Sequence, residues 1–226
     1  MKTPLLYKVY WSLRRGWKRL TPEAQQAVQK FVASQKTAHG YMNAGGHEDD
    51  YYGQVGRLLE TVFNPLKLLR TKIHLDVPES KGKETLYARF FDFLKKEMKL
   101  RKGGSTFSDR SFFAFQSSPH TTNAACCILA MQYQMGEQPD KVWVEWLQQR
   151  QDETGGFFAS EQALMPDLLS TAVALFTLRL IGAEALDALP FIQAHWRMGG
   201  GFTPTLCDDY SDVEYVFYGL LGLGTT

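Results

Sequence analysis

The residues best suited to acid–base chemistry are aspartates in two loops near opposite ends of the chain. One loop contains Asp49 and Asp50, and the other contains Asp208 and Asp209, followed by Asp212. A carboxylic acid donates a proton near neutral pH only where burial or a second carboxylate keeps it neutral. Side chains of adjacent residues point apart on most backbones, and loops that begin helices are routinely acidic. The sequence alone leaves both interpretations open.

Aromatic residues recur near the same loops and suit a different chemistry, the binding of an apolar molecule. Most aromatic residues at helical spacing fill the core between helices. Tyr215 and Tyr218 lie about one turn apart and share a helix face, and buried tyrosine hydroxyls need a partner. If that face points at a cavity, the tyrosine hydroxyls lie at the edge of an apolar pocket. Such a pocket suits a long hydrophobic ligand. The candidate ligand-binding residues are Phe157, Trp196, Phe202, Tyr215, Tyr218 and, near the N-terminus, Tyr51.

The elements that must position these residues repeat along the chain. Residues 155–157, Gly-Gly-Phe, match residues 200–202 at an offset of 45, and Asp167 matches Asp212 at the same offset. A fixed interval of this size is typical of a stacked supersecondary unit. We interpret each unit as a helix, a Gly-Gly-aromatic loop and a second helix rich in small residues. The aspartate of this unit is better explained as a helix N-cap than as a catalytic residue. The glycines are explained by the positive φ that a chain often adopts at the end of a helix.

Four such units cover most of the chain, and the two nearer the N-terminus are degenerate copies. Thr21-Pro22-Glu23 marks the start of one helix, with a hydroxyl cap, a first-turn proline and an acid. No period-2 alternation is found, so strands should be few. We therefore predict a single all-α domain of helical-hairpin repeats over residues 1–226. The repeats lie at about 27–60, 90–136, 141–182 and 186–225, after a basic aromatic helix at 1–20.

That N-terminal helix combines residues such as Trp11 and Trp17 with several lysines and arginines. It lacks the continuous apolar core and cleavage site of a signal peptide. We expect it to pack its aromatics on the domain, and peripheral contact with an anionic membrane surface stays an alternative. No run of residues approaches the length of a membrane span.

The overall composition excludes some partners. The 226 residues include 25 Lys+Arg and 24 Asp+Glu, so no field that would attract nucleic acid is expected. Three cysteines, two of them adjacent, do not form a disulfide framework. A reducing, cytoplasmic location is therefore the expectation.

The order Gly-Gly-Phe, then Asp, then Ser/Thr-x-x-Ala-Leu resembles the repeat of protein-prenyltransferase β subunits and squalene/terpene cyclases. The resemblance is strongest over residues 146–182 and 191–225. It implies helical hairpins closed into an α/α toroid around an aromatic-lined central cavity, where family members bind isoprenoid chains. A complete ring needs more hairpins than four. The resemblance thus implies an open ring, N-terminal segments that supply the rest, or closure by a partner subunit or a second copy.

The family's catalytic positions can be compared with this chain one at a time. Where the prenyltransferases have zinc-binding Cys and His, this chain has Leu169 and Tyr215. Since zinc needs at least three protein ligands, this zinc site is not expected, and the cofactor stays undetermined. The acid-initiated cyclases protonate their substrate with an Asp-rich motif. The resemblance therefore makes the loop aspartates candidates for the proton donor: Asp208, Asp209, Asp49 and Asp50.

Two functions from different classes follow from these expectations. The first is a ligand-binding or accessory subunit that holds a hydrophobic, isoprenoid-like molecule in a central aromatic cavity. The alternative is an enzyme, an acid-initiated terpene cyclase or prenyl transferase that uses the loop aspartates. The missing zinc ligands and the missing cyclase motif favour the first. A helical solenoid that binds peptide on a concave face is a more distant third.

Overall fold

The structure is a computed structural model that describes residues 5–48, 50–67 and 121–226, without the side chain of Asp50. Contacts divide the chain into two units, and every described residue belongs to the unit of Met1–Lys67 and Pro119–Thr226. Of the predicted second repeat, residues 90–120 lie outside the described residues, as does Asp49.

The described residues form helices and one short strand pair, which confirms the all-α class. The strands β1 (Phe157–Phe158) and β2 (Pro166–Asp167) are antiparallel, with Phe157 opposite Asp167. The helices are α1 (Leu5–Arg19), α2 (Pro22–Ser34), α3 (Asp50–Phe63), α4 (Thr122–Gln134), α5 (Lys141–Gln148), α6 (Leu168–Ile181), α7 (Leu189–Ala194) and α8 (Val213–Thr225).

Side-chain caps determine where several helices begin. The Thr21 hydroxyl accepts a hydrogen bond from the Ala24 amide, so α2 starts where the sequence predicted. Asp167 and Asp212 likewise accept from first-turn amides of α6 and α8, which confirms both aspartates as N-caps. Each such cap typically contributes about 1 kcal/mol.

The same turn follows the first helix of three predicted repeats. Phe158 N donates to Arg150 O over 3.0 Å, and 45 residues later Thr203 N donates to His195 O over 3.0 Å. In the N-terminal repeat Met42 N donates to Gln35 O over 3.1 Å. The N-terminal turn is one residue shorter than the two later turns. Its β-bridge joins Lys36 to Tyr41, whereas the later bridges join Gln151 to Phe157 and Trp196 to Phe202.

The glycines of these turns are the points where successive repeats touch. Gly155 and Gly200 have φ values of +87° and +97°, as expected for glycine after a helix. A Cβ at Gly155 would lie 2.3 Å from Asp187 O, just before α7, and one at Gly200 would lie 2.2 Å from Ala27 O in α2. Helix α2 therefore contacts the glycine turn at Gly200 in the way that the start of α7 contacts the glycine turn at Gly155.

A second contact recurs at the starts of the second helices. Thr122 N, in α4, donates to Ala159 O over 2.8 Å, and Leu168 N, in α6, donates to Pro204 O over 2.9 Å. Helix α4 therefore contacts the residue that follows β1, and α6 contacts the loop that follows Phe202.

An aromatic ring covers a glycine of the second helix in two of the repeats. A Cβ on Gly56 would lie 2.4 Å from the Tyr41 ring, and one on Gly219 would lie 2.5 Å from the Phe202 ring. Both rings are almost fully buried. The small residues of the second helices thus leave space for the aromatic residue that follows each glycine turn.

The Tyr41 hydroxyl donates to Glu60, which also pairs with Lys36 at 2.8 Å and Lys67 at 3.1 Å. Although partial burial opposes it, hydrogen bonds from Lys36, Tyr41 and Lys67 lower the pKa of Glu60 to about 2. The carboxylate of Glu60 therefore contributes stability above its unfolded pKa, and that contribution is lost as the pH falls through the folded value.

As the pH is lowered from about 4.5 to 2, we expect the thermal midpoint of unfolding to decrease, partly because Glu60 becomes protonated. In Glu60→Gln this part of the acid dependence should disappear, and the midpoint at neutral pH should be lower than in the wild type. Melting curves followed by circular dichroism across this range test the point. An unchanged acid dependence in Glu60→Gln would contradict it.

Helix α1 packs against α8 at two glycines. A Cβ on Gly16 would lie 1.9 Å from Leu220 O, and one on Gly224 would lie 1.8 Å from Ser12 O. The two backbones are therefore in direct contact. Only residues without a side chain permit helices to approach this closely.

On its other faces α1 reaches the second helices of the remaining repeats. The Tyr10 hydroxyl donates to Thr61 O of α3 over 3.2 Å, and Lys8 Nζ lies 5.0 Å from the centre of the Tyr133 ring of α4. Phe176 of α6 lines a cavity together with α1. Helix α1 therefore contacts α3, α4 and α8 and borders a cavity that it shares with α6.

Helix α1 buries Leu13 and Trp17, as predicted for part of its aromatic content, whereas Tyr7 and Trp11 are exposed on another face. Leu6 is exposed near the start of the helix. None of the described helices combines the length and the apolar composition that crossing a bilayer requires.

Candidate functional site

The six aromatic residues predicted to bind a ligand lie in three different environments. Phe157 is in the core. Trp196 and Phe202 line one pocket, and Tyr51, Tyr215 and Tyr218 belong to a cluster of tyrosines. The structure therefore does not bring all six around one cavity.

Phe157 is wholly buried, with 0% of its surface exposed. Its amide donates to the Thr171 hydroxyl over 2.8 Å, which ties the glycine turn to α6. It does not line the pocket beside Trp196 or the pocket beside Tyr215. Its full burial is typical of a residue that packs the interior.

Trp196 and Phe202 form one wall of a mainly apolar pocket of about 500 Å³, here called the Trp196 pocket. Their rings meet edge to face, with centroids 5.2 Å apart and planes at 73°. Phe202 is fixed over Gly219, so this wall has little freedom to move. The remaining lining residues are Arg19, Leu20, Thr21, Ala24, Leu189, Gln193 and Leu223.

The tyrosine cluster lies where α3 and α8 begin. It consists of Tyr51, Tyr52, Tyr210, Tyr215 and Tyr218, arranged around the carboxylate of Glu214. The Tyr51 hydroxyl donates to Glu214 Oε1 over 3.0 Å, and the Tyr52 hydroxyl donates to Glu214 Oε2 over 3.1 Å. These bonds join residues separated by more than 160 positions in the sequence. They connect the first predicted repeat to the last.

Burial, together with the neighbouring acids, keeps the hydroxyls of the cluster neutral. Burial is the largest cause that raises the pKa of Tyr51, Tyr215 and Tyr218. For Tyr51, hydrogen bonds with Tyr218 and Glu214 raise the pKa further. These groups therefore serve as hydrogen-bond donors and aromatic surfaces across the physiological pH range.

A pocket of about 480 Å³ adjoins the cluster and is here called the tyrosine pocket. The rings of Tyr210 and Tyr215 stand at 74° with centroids 6.3 Å apart, and those of Tyr215 and Tyr218 stand at 56° with the same separation. The lining residues are Asn43, Ala44, Gly45, Tyr52, Tyr210, Asp212, Glu214 and Tyr215.

The proposed catalytic aspartates of the last loop do not lie in a buried acid site. Asp208 accepts hydrogen bonds from the amide of Thr205 over 3.0 Å and from its hydroxyl over 2.7 Å, which stabilises the loop itself. Asp209 is exposed. Asp49 and the side chain of Asp50 lie outside the described residues.

Of the two capping aspartates, Asp212 is buried and Asp167 is half-buried. Asp212 is 3% exposed. Burial raises the pKa of Asp167 and Asp212, while hydrogen bonds from the first-turn amides oppose the rise. Asp212 lines the tyrosine pocket as well as capping α8.

No group of three or more His, Cys, Asp or Glu side chains in the described part of the chain could hold a metal ion. His195 is buried, and its Nδ1 lies 2.8 Å from Thr203 O in the last glycine turn. All three cysteines are free thiols. Burial raises the pKa of Cys126 to about 12, so this thiol is unreactive.

Sequence reasoning missed Glu214, Tyr52 and Tyr210 as members of the site. Glu214 looks like an ordinary acid in the first turn of a helix. The sequence contained one signal of a special role for Glu214. The equivalent position in the third predicted repeat, 45 residues earlier, is the apolar Leu169. A charge on an otherwise apolar helix indicates a polar partner, although it does not identify Tyr51 as that partner.

The comparisons with known proteins add no relative to this description. No family model matches the chain, and no significant match was found among curated proteins or solved structures.

Proposed function

We propose that this chain is a prenyltransferase/cyclase-like helical repeat protein that binds a hydrophobic, isoprenoid-like molecule, as a binding or accessory subunit. The observation that carries the proposal is the Trp196 pocket, an apolar cavity of about 500 Å³ with a fixed aromatic wall. That volume falls within the roughly 300–1,000 Å³ typical of small-molecule sites.

The toroid-like architecture is supported by the contacts that recur between repeats. The same glycine-turn contact joins the third repeat to the fourth and the fourth to the first. In a ring the last repeat must meet the first, and an open solenoid would keep its ends apart. We propose that α2 and α3 follow α7 and α8 around a ring whose centre is occupied by α1.

The chemistry of the Trp196 pocket favours an apolar chain with one polar end. Leucines, an alanine and two aromatic rings form most of the lining, and burial of apolar surface favours binding by about 25 cal/mol per Å². Arg19 and Gln193 are the longer polar side chains in the lining. The guanidinium of Arg19 donates to the Thr226 hydroxyl over 2.7 Å and is held at this pocket.

A cytoplasmic location is part of this proposal. The free cysteines support it, because a reducing compartment keeps thiols unpaired. The ring-completing partner, a second subunit or a second copy, also remains part of the proposal.

The test is binding of farnesol, followed by quenching of tryptophan fluorescence. Ala24→Phe places a ring in the Trp196 pocket and should weaken farnesol binding by about tenfold or more, because it occupies the apolar volume. Ala33→Phe is the matched control, since Ala33 is exposed on the same helix, α2. Farnesol should bind this variant as it binds the wild type.

Two results would contradict the proposal. One is the absence of saturable farnesol binding to the wild-type chain. The other is equal binding by the Ala24→Phe and Ala33→Phe variants while both keep the wild-type helical spectrum.

A further inference from the structure

The tyrosine pocket is separate from the Trp196 pocket, because the two share no lining residue. Its walls combine aromatic rings with carboxylates. Tyr52, Tyr210 and Tyr215 contribute the rings, and Asp212 and Glu214 contribute the acids. The long, apolar ligand proposed above would gain nothing from two carboxylates, so a different ligand chemistry is needed here.

Every charged residue that lines the tyrosine pocket is acidic. The ion pairs among the described residues involve Lys36, Lys67 and Arg150, and none of them includes Asp212 or Glu214. Two neighbouring carboxylates without a cationic side chain give this cavity a negative potential. A cation that enters the pocket would be attracted by both.

The rings determine which kind of cation fits. Tyr210 and Tyr215 stand at 74° to each other, and both rings line the pocket together with Tyr52. The face of an aromatic ring attracts a cation that has shed its water. Alkylated ammonium groups lose water easily, and several rings around one such group form an aromatic cage.

We propose that the tyrosine pocket binds an organic cation that carries a substituted ammonium group. The ammonium lies between the rings of Tyr52, Tyr210 and Tyr215, and Glu214 balances its charge. The hydroxyls of Tyr51 and Tyr52 hold the Glu214 carboxylate in place through their hydrogen bonds. This assignment does not depend on the Trp196 pocket.

An inorganic cation fits the same residues less well. Calcium takes six to eight oxygen ligands and magnesium keeps much of its water, so neither uses aromatic faces. The described residues also contain no group of three acidic, histidine or cysteine side chains at metal-binding positions.

The probe is choline, compared with 3,3-dimethylbutan-1-ol, which has the same shape without the charge. Isothermal titration of the full chain should detect saturable choline binding, and the neutral isostere should bind at least about tenfold more weakly. Calcium chloride is titrated separately. The choline titration contains no farnesol, so a negative choline result is distinguishable from failure of the proposed function.

Variants locate the site. Glu214→Gln and Tyr210→Leu should each weaken choline binding by about tenfold, and Tyr210→Phe should keep it within about threefold because the ring remains. Tyr210 is 44% exposed, so its replacement should not disturb folding. Tyr7→Leu, at an exposed tyrosine of α1 outside the pocket, is the control and should bind choline normally.

The proposal fails if choline and its neutral isostere bind equally, or if choline shows no saturable binding. It also fails if Tyr210→Leu binds choline as tightly as the Tyr7→Leu control. Tight calcium binding that is lost in Glu214→Gln would assign the pocket to a metal ion and would overturn the proposal as well.

Discussion

Replacing Gly16 by alanine should destabilise the folded chain by at least about 3 kcal/mol. The added methyl carbon would lie 1.9 Å from the Leu220 carbonyl oxygen and 2.8 Å from its carbon. Both are backbone atoms, so no side chain can move aside to relieve the overlap. Helices α1 and α8 must separate, and the core around Leu13 and Trp17 must open.

The sign of this effect is diagnostic, because intrinsic helix propensity predicts the opposite. In an isolated helix, alanine is favoured over glycine by about 1 kcal/mol. A net loss of stability in Gly16→Ala would therefore show that the tertiary clash exceeds the gain in helix propensity. Thermal unfolding followed by circular dichroism gives the measurement.

Gly199→Ala is the matched control. A Cβ at Gly199 has no atom within 4 Å, and its φ lies outside the left-handed range. The thermal midpoint of this variant should stay within about 2 °C of the wild type. If Gly16→Ala were as stable as Gly199→Ala, the close packing of α1 on α8 would be wrong.

Phe157→Ala should cost about 3–5 kcal/mol, the usual loss for a large aromatic side chain removed from a core. The ring is fully buried, and its loss leaves a cavity between the glycine turn and α6. For a chain of this length the thermal midpoint should fall by roughly 10 °C. Urea unfolding gives the free energy directly.

Phe158→Ala, at the neighbouring and only half-buried residue, should cost about 1 kcal/mol. Farnesol affinity distinguishes the two roles considered for Phe157. At temperatures below its thermal midpoint, the Phe157→Ala variant should bind farnesol like the wild type, because Phe157 does not line the Trp196 pocket. A tenfold loss of affinity with little loss of stability would show that Phe157 contacts the ligand.

These expectations also bear on the enzyme alternative, the acid-initiated cyclase or prenyl transferase. Asp209 is exposed, and Asp208 is engaged by Thr205 within its own loop. The binding proposal needs no carboxylic acid as a proton donor, which is why we prefer it.

Features that depend on nearby residues could be predicted from the sequence. The 45-residue interval between Asp167 and Asp212 predicted two equivalent helix starts, and both aspartates cap their helices. Thr21-Pro22-Glu23 predicted the start of α2 for the same reason. Caps and glycine turns are determined within a few residues, so their signals survive in a single sequence.

Part of the candidate site was predicted in the same way. Tyr215 and Tyr218 share a helix face because of helical periodicity, and they belong to one cluster. Trp196 and Phe202 meet because the last glycine turn joins them. Phe157 instead lies in the core. A repeat pattern does not distinguish a ring that faces a cavity from one that packs the interior.

The sequence by itself determined the helices, their caps and the recurring glycine turns, because the forces that set them act between near neighbours. Only the tertiary structure decided that α1 packs directly on α8 and that Tyr51 meets Glu214. The hydrogen bond from Arg19 to Thr226 spans 207 positions, and that from Tyr51 to Glu214 spans 163. Such pairings arise from the packing of whole helices and leave no periodic mark in the sequence.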